Sequence, residues 1–264
     1  MREDSGACPS KPGDSGKGVV YVVGAGPGDP ELITIKGLRL IEIADVIVYD
    51  RLAPRELLRH AKKGAELVYA GKEPGFHAMS QDDINKLLLD RATRGLTVVR
   101  LKGGDPLVFG RGEEECLFLA RHGVECIIVP GIPSFIGAAA YAMIPLTSRG
   151  YSSSFAVVTG KEAPEKGFTS VRLGDIARAV DTIIVLMGAS RSPEIFEELI
   201  KVLGSNALGA VVINATRGDQ VVIEGTLGEL LHLARKGRIR NPAVIIVGKT
   251  VGLREKLCAE SVES

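Results

Sequence analysis

Short runs of apolar and β-branched residues alternate with helical patterns over the first half of the chain. Each run is bounded by glycine, proline or polar residues, which is typical of strands in a parallel sheet covered by helices. We predict strands at Val19 to Val23, Val46 to Tyr49, Leu67 to Ala70, Thr97 to Leu101 and Cys126 to Val129. The pattern therefore predicts an α/β first half with a mostly parallel sheet.

One helix of this half has clear ends. Ser80 is expected as its N-cap, Asp83 as the partner of Ser80 in a capping box, and Gly95 lies just beyond the last turn. Apolar residues at helical spacing predict one buried face, formed by Ile84, Leu87, Leu88 and Ala92.

The pattern changes at Pro130-Gly131-Ile132-Pro133, after which small residues predict a helix from Ser134 to Met143. Closely spaced strand-like runs then favour a mixed or antiparallel sheet. These runs are Phe155 to Val158, Thr182 to Met187, Ala210 to Asn214, Val221 to Glu224 and Ala243 to Val247. We expect a disordered leader at 1–17, an N-terminal α/β domain at 18–133 and a C-terminal α/β domain at 134–264, with a cleft between the two domains.

The charge balance and the apolar content of the chain limit the kinds of partner that it can bind. The 264 residues include 33 basic and 32 acidic ones, so no long basic track for nucleic acid is expected. No apolar run approaches the ~18 residues of a membrane span, and the polar N-terminal segment lacks the apolar region of a signal peptide. We therefore expect a cytoplasmic protein without nucleic-acid or membrane partners.

The four cysteines lack a Cys-x-x-Cys spacing. Apolar neighbours of Cys126 indicate a buried thiol, and we expect neither a disulfide nor a metal site.

Two glycine-rich loops each follow a predicted strand and each contain Gly-Asp-Pro. They are Gly24 to Pro30 and Gly103 to Pro106. Glycine allows close backbone approach and proline stiffens a loop, so the pair predicts a rigid cradle for a small ligand beyond the carboxyl ends of the strands. The opening Gly24-x-Gly26 also resembles a dinucleotide fingerprint, which leaves a nicotinamide-dependent oxidoreductase as an alternative. Asp29 stands where that fingerprint needs its third glycine.

Several motifs in order from Gly18 to Leu257 resemble one family. They are Val23-Gly-Ala-Gly-Pro-Gly-Asp-Pro30, Val48-Tyr-Asp-Arg-Leu52, Gly71-Lys72 with His77, Arg100-Leu-Lys-Gly-Gly-Asp-Pro106, Phe109-Gly-Arg-Gly112 and Tyr151-Ser-Ser-Ser154. The chain resembles the uroporphyrinogen-III C-methyltransferases of the tetrapyrrole methylase superfamily. The resemblance implies the tetrapyrrole methylase fold, a homodimer without a metal, and two methyl transfers from S-adenosylmethionine to uroporphyrinogen III. The product would be precorrin-2, which leads towards sirohaem or cobalamin.

The resemblance also implies roles for individual residues. Asp50 and Lys72 match a proton acceptor and a proton donor, and Glu114 matches a residue that handles a pyrrole N–H proton. Contacts to S-adenosylmethionine fall on Pro27, Gly103, Gly104, Asp105, Val108, Pro133, Ser134, Met187, Ala215 and Ala243. Because the substrate carries many carboxylates, arginines able to make bidentate contacts are expected at its site, and Arg51, Arg111 and Arg149 match them.

Simpler interpretations of the same residues stay open. Asp50 could cap the turn that follows it, Arg111 and Glu114 could form an ordinary i,i+3 pair, and Tyr151 to Ser154 could be a turn at a sheet edge. No catalytic role is expected for His77. Ser148 and Pro133-Ser134 depart from the family pattern, which commonly has His and Thr-Ala there.

Two further functions also stay open. One is a methyltransferase that acts on a later precorrin. The other is an S-adenosylmethionine sensor without turnover.

Overall fold

The computed structural model describes residues 16–71, 79–161 and 171–260. The chain divides into two compact units between Pro133 and Ser134, and each unit has its own sheet. Within the described ranges, no helix has the length and apolar character needed to cross a membrane.

The sheet of the first unit is entirely parallel. Its described strands are β1 (Val19–Gly24), β2 (Val46–Tyr49), β3 (Glu66–Tyr69), β4 (Val98–Lys102) and β5 (Glu125–Val129), in the order β3-β2-β4-β1-β5. Every pairing between neighbours runs parallel. The predicted parallel sheet is therefore confirmed, and the predicted strand ends agree to within one residue.

Helices cover both faces of this sheet, as a parallel sheet requires. The described helices are α1 (Ile35–Ile43), α2 (Gln81–Thr93) and α3 (Gly112–Arg121). On one face, Val48 and Val98 pack in a core with Leu88 of α2 and Leu119 of α3. On the other face, strand residues join Leu40 and Ile41 of α1 in a second core.

The predicted capping box of α2 is confirmed. Ser80 Oγ accepts a hydrogen bond from the Asp83 N–H at 3.1 Å, and an Asp83 carboxylate oxygen accepts one from the Ser80 N–H at 3.2 Å. Of the predicted face, Ile84, Leu88 and Ala92 are buried, whereas Leu87 is only partly buried. Asn85 is also buried, and its Oδ1 accepts a hydrogen bond from Gln81 Nε2.

The expectation of free thiols in the first unit is wrong. Cys116 of α3 and Cys126 of β5 form a disulfide, and their Cα atoms are 5.3 Å apart. Both residues are half-buried. The short turn at His122 and Gly123 sends the chain back along α3, so a helix residue and a strand residue ten positions apart become neighbours. Cys126 is therefore not the buried thiol that its apolar neighbours indicated.

The sheet of the second unit is mixed, as predicted. Its described strands are β6 (Phe155–Thr159), β7 (Thr182–Leu186), β8 (Leu208–Ile213), β9 (Val221–Thr226) and β10 (Ala243–Gly248). Their order is β6-β7-β10-β8-β9. Strands β6 and β7 are parallel, and the other pairings are antiparallel.

The helices of the second unit pack on both faces of its sheet. Those described are α4 (Ser134–Tyr141), α5 (Leu173–Ala179), α6 (Ser192–Leu203), α7 (Leu227–Arg235) and α8 (Arg254–Glu260). Residues of α5, α6 and α7 form one core, and alanines of α4 join the core on the other face. Helix α4 ends two residues before the predicted Met143, which has a positive φ of 54°.

Candidate active site

The two glycine-rich loops of the first unit are hydrogen-bonded to each other. The Gly104 N–H donates to the Gly26 carbonyl at 2.7 Å, and the Gly26 N–H donates to the Gly104 carbonyl at 3.3 Å. The Ala25 N–H donates to the Lys102 carbonyl at 2.7 Å. The loops that follow β1 and β4 are therefore joined backbone to backbone beyond the parallel strands, through an antiparallel bridge between Gly26 and Gly104.

A third loop, after β5, is bound to the same structure. Asp105 Oδ2 accepts a hydrogen bond from the Gly131 N–H at 3.0 Å, while its Oδ1 accepts one from the Leu107 N–H at 2.8 Å. We call these three connected loops the loop platform: residues 24–30, 103–106 and 130–133. The three loops follow β1, β4 and β5, respectively, and these strands are adjacent in the sheet in the order β4-β1-β5.

Glycine is needed in the loop platform because the loops touch one another. A Cβ on Gly131 would lie 2.3 Å from the Gly104 carbonyl oxygen, and a Cβ on Gly24 would lie 2.6 Å from the same atom. Such distances do not occur between real atoms, so a side chain at either position would push the loops apart. The missing Cβ atoms thus serve packing between loops.

The resemblance-based cofactor contacts of this unit lie in or beside the loop platform. Gly104 is buried, and the others are half-buried: Pro27, Gly103, Asp105, Val108 and Pro133. Asp29 Oδ1 accepts a hydrogen bond from the Glu31 N–H at 2.9 Å and so caps a short 3-10 turn. Both aspartates of the Gly-Asp-Pro repeats therefore stabilise loop structure.

Asp50 directly follows β2 at the carboxyl edge of the sheet. Its Oδ1 accepts hydrogen bonds from the backbone N–H groups of Leu52 at 3.0 Å and Ala53 at 3.1 Å, as expected for a residue that caps the next turn. Its Oδ2 lies 3.8 Å from Nη2 of Arg100. The neighbouring Arg51 is exposed. Asp50 is thus a half-buried carboxylate that has a structural contact and also faces a cation.

A buried group of charges lies beside Asp50. Glu115 is fully buried, and its Oε1 accepts hydrogen bonds from Lys102 Nζ at 3.0 Å, Arg100 Nε at 3.2 Å and Gln81 Nε2 at 3.2 Å. Burial is the largest cause that lowers the pKa of the Lys102 ammonium group. The charge of Arg100 lowers this pKa further, and Glu115 acts in the opposite direction.

Arg111 and Glu114 form a bidentate surface pair at the start of α3. Arg111 Nε and Nη2 donate to the two carboxylate oxygens of Glu114 at 2.8 and 2.7 Å. This hydrogen bonding to Arg111 lowers the pKa of Glu114. Arg111 and Phe109 both have positive φ, of 59° and 54°. Two non-glycine residues in this unfavourable region within three positions indicate a loop whose shape is fixed by its surroundings.

In the second unit, three proposed cofactor contacts meet at one end of the sheet. Met187 follows β7, Ala215 lies two residues after β8, and Ala243 begins the antiparallel strand β10 that lies between them. Met187 is exposed and has a φ of 55°, and both neighbours of Ala215 have positive φ, Asn214 at 51° and Thr216 at 66°. A β-branched residue with positive φ is a true outlier, and such strain gathers at ligand-binding sites.

Arg149 lies in a tight turn of the second unit. The Ser148 N–H donates to the Ser152 carbonyl at 3.0 Å, and Arg149 is exposed between them. The serines that follow have structural contacts. Ser152 Oγ is within 2.9 Å of Thr182 Oγ1, and the Ser153 and Ser154 N–H groups donate to Asp181. Ser134, the remaining proposed cofactor contact, is the first residue of α4 and is half-buried.

Lys72 and His77 lie outside the described residues. The other predicted residues of the first unit all lie in loops that follow strands, at the carboxyl edge of the sheet, or at the start of α3. Sequence reasoning did not include Arg100, Lys102 and Glu115 among the site residues. The sequence contained a signal for two of them. Arg100 and Lys102 are two positions apart in an otherwise apolar strand, so their side chains must lie on the same face of the sheet.

The fold and these loops define an α/β protein with candidate small-molecule binding loops at the ends of its strands. Glycine-rich and strained loops at the ends of strands are where such proteins bind ligands.

Comparison with known proteins gives the family. The model of the tetrapyrrole (corrin/porphyrin) methylases matches residues 19–231. The chain belongs to this family.

Named relatives agree with the family match. A uroporphyrinogen-III C-methyltransferase of Methanocaldococcus jannaschii is 48% identical over 238 residues, which is 89% of this chain and 98% of the relative. The uroporphyrin-III C-methyltransferase of Thermus thermophilus, solved in complex with S-adenyl homocysteine, is similar with a TM-score of 0.75 and 40% identity over 89% of this chain and 93% of that one. The cobalt precorrin-4 methyltransferase CbiF has a TM-score of 0.78 and 32% identity over 88% and 95% of the two chains.

Proposed function

We propose that the protein transfers two methyl groups from S-adenosylmethionine to carbon atoms of uroporphyrinogen III and so forms precorrin-2. The observation that carries this proposal is the 48% identity that extends over 98% of a relative named for this activity. The arrangement of the loop platform supports it independently.

The hydrogen bonds of the loop platform favour a ligand without phosphate. In a dinucleotide site, backbone N–H groups of the glycine-rich loop point at the pyrophosphate. Here the N–H groups of Ala25, Gly26, Gly104 and Gly131 donate to acceptors of the protein itself. S-adenosylmethionine carries a sulfonium cation and no phosphate, so loops whose amides are engaged within the protein suit it better than they suit NAD.

We assign the donor contacts to the residues that the resemblance indicated. In the first unit they are Pro27, Gly103, Gly104, Asp105, Val108 and Pro133. In the second unit they are Ser134, Met187, Ala215 and Ala243. When bound, the donor supplies an electrophilic methyl group that is already activated by the positive sulfur. The reaction therefore needs no Lewis acid, and we expect activity without an added metal.

Arg51, Arg111 and Arg149 are our candidates for the substrate carboxylates. All three are exposed, as a residue that binds a large polycarboxylate must be. Guanidinium groups bind carboxylates through two parallel hydrogen bonds, which fixes orientation as well as affinity. Holding the macrocycle in a reactive geometry is itself a large source of rate enhancement.

Methylation of a pyrrole carbon requires loss of a proton, and we assign its acceptance to Asp50. The half-buried carboxylate at the carboxyl edge of the sheet supports this role. We assign proton donation to Lys72 on the resemblance alone. We assign to Glu114 the handling of a pyrrole N–H proton.

We also expect a homodimer in the cytoplasm, as the family resemblance implies.

The test is label transfer. Purified protein is incubated with methyl-labelled S-adenosylmethionine and anaerobically prepared uroporphyrinogen III, and a doubly methylated product is expected. Asp50→Asn should lower the rate by roughly 10²- to 10⁴-fold, the range for loss of a general base. Asp45→Asn is the matched control, because Asp45 flanks the other end of β2 and pairs with Lys62. Absence of labelled product would overturn the proposal.

A later precorrin is the second candidate substrate, favoured by the similarity to the cobalt precorrin-4 methyltransferase. Parallel reactions with a precorrin that already carries methyl groups separate the two candidates. Thermal shifts add a check on the donor, since a ligand that binds the folded state raises apparent stability. S-adenosylhomocysteine should stabilise the protein and NAD should not. Stabilisation without any turnover would indicate a sensor.

A further inference from the structure

The central strand of the first unit carries two cations inside the protein. The side chains of Arg100 and Lys102 are only 4% and 7% exposed, and both contact the fully buried Glu115. Burying a charge is costly unless it is paired and hydrogen-bonded. Replacing a buried ion cluster with apolar residues is often neutral or stabilising, so stability alone is a weak explanation for three charges in a strand flanked by β1 and β2.

The charges balance only when Asp50 is included. Arg100 and Lys102 contribute two positive charges and Glu115 one negative charge, which leaves one positive charge in excess. The Asp50 carboxylate, at 3.8 Å from Arg100 Nη2, compensates it. Asp50 therefore belongs to the same charged cluster, at its edge.

Arg100 is held in a fixed orientation. Its Nη1 donates to the carbonyl oxygens of Val48 at 3.3 Å and Leu101 at 3.2 Å, and its Nε donates to Glu115 at 3.2 Å. These contacts leave Nη2 pointing at Asp50. Because the guanidinium is planar and rigid, fixing one edge fixes the direction of the other.

We propose that Arg100, anchored by Glu115, is a positioning residue for the methyl-transfer reaction. It orients one Asp50 carboxylate oxygen toward the position from which it accepts the substrate proton, while the backbone N–H groups of Leu52 and Ala53 hold the other oxygen. This proposal rests on the proposed function of Asp50. It explains why a carboxylate that also caps a turn has a buried arginine directed at it.

A double-mutant cycle tests the proposal. Arg100→Gln, Asp50→Asn and the double variant are compared in single-turnover methyl transfer from labelled S-adenosylmethionine to uroporphyrinogen III. Asparagine keeps an acceptor for the turn at residues 52 and 53. If Arg100 acts through Asp50, Arg100→Gln lowers the rate by about 10- to 100-fold in the wild-type background, the cost of a misplaced catalytic group. In the Asp50→Asn background the group that Arg100 positions is already lost, so Arg100→Gln lowers the rate by less than about twofold, a change no larger than the scatter seen between additive mutations.

Other readouts separate positioning from structural damage. The KM for uroporphyrinogen III and the affinity for S-adenosylhomocysteine should stay within about twofold of the wild-type values, because the remaining groups are in place. Arg100→Lys, which keeps the charge in the cluster, should recover part of the lost rate. Arg91→Gln is the matched control: Arg91 also makes a bidentate pair, with Glu66, but at the amino edge of the sheet. It should leave the rate unchanged.

Each outcome decides the question. Equal losses from Arg100→Gln in both backgrounds, or a parallel loss of S-adenosylhomocysteine affinity, would overturn the positioning role and leave the proposed function intact. If Arg100→Gln does not fold, the cycle is carried out with Arg100→Lys, and additivity in that cycle has the same consequence. A wild-type protein that transfers no label would overturn the proposed function, and the positioning role with it.

Discussion

Arg111 combines a surface ion pair with an unfavourable backbone conformation. An exposed pair such as Arg111–Glu114 is worth only about 0 to 1 kcal/mol, and a left-handed conformation costs a non-glycine residue about 1 to 2 kcal/mol. The backbone cost is at least as large as the gain from this pair, so the pair with Glu114 does not by itself explain an arginine at this position. A role toward the substrate accounts better for a cation held there.

Arg111→Ala tests this role. We expect the KM for uroporphyrinogen III to rise about 10-fold or more, because a charge-assisted hydrogen bond contributes roughly 1.5 to 3 kcal/mol. The free energy of unfolding should change by less than about 1 kcal/mol.

Arg178→Ala is the matched control for this measurement. Arg178 is similarly exposed and also pairs at i,i+3, with Asp175 in α5. Steady-state kinetics should show no change for this control. An unchanged kcat/KM in Arg111→Ala would remove Arg111 from the substrate site.

At the scale of elements, the loops after β1, β4 and β5 act as one unit because their backbones are in contact. Gly131→Ala should disrupt this unit, since the new Cβ would lie 2.3 Å from the Gly104 carbonyl oxygen. We expect a loss of about 1 to 3 kcal/mol in the free energy of unfolding, the usual cost of overpacking, together with weaker binding of S-adenosylhomocysteine.

The control for this change is Gly228→Ala. Gly228 lies in α7, and a Cβ there would meet Ser205 at an ordinary 3.6 Å. Alanine in a helix is favoured over glycine by up to about 1 kcal/mol, so this variant should be neutral or stabilised. Calorimetric titration and urea unfolding of both variants provide the comparison. Unaltered S-adenosylhomocysteine affinity in Gly131→Ala would mean that the loop after β5 has no part in donor binding.

Helices and strands were predicted well where residues close together in the sequence determine the local structure. The strands are short β-branched runs, and the α2 boundary depends on Ser80 and Asp83, which interact three residues apart. The Cys116–Cys126 disulfide was missed because it depends on how α3 turns back beside β5. The Arg100–Lys102–Glu115 cluster was missed because alternation shows that two side chains share a face, but only the packing of α3 shows that Glu115 meets them there.

At the scale of the whole molecule, near-equal numbers of acidic and basic residues leave almost no net charge. The pH dependence of stability therefore depends on individual ionisable groups. Several carboxylates in both units have lowered pKa values because they accept hydrogen bonds. In the first unit, the hydrogen bond from Lys62 is the largest cause for Asp45, and that from Arg91 for Glu66. In the second unit, hydrogen bonds from Ser153 and Ser154 lower the pKa of Asp181. Folding should therefore weaken in acid.

Asp181→Asn tests the acid dependence at one site. Asp181 Oδ2 accepts hydrogen bonds from the Ser153 N–H, the Ser154 N–H and Ser154 Oγ, which links the start of β7 to the turn before β6. Since the folded pKa is below the ordinary value of 3.8, the unfolded chain binds more protons between the two values, and stability rises with pH through that window. Urea midpoints measured from about pH 3 to pH 7 should show the variant less stable at neutral pH, with the difference shrinking as the pH falls below 3.8. Ser154→Ala removes one of the three donors and should show a smaller loss in the same window. A constant difference between Asp181→Asn and wild type at every pH would mean that the hydrogen bonds stabilise the charged and neutral side chains equally.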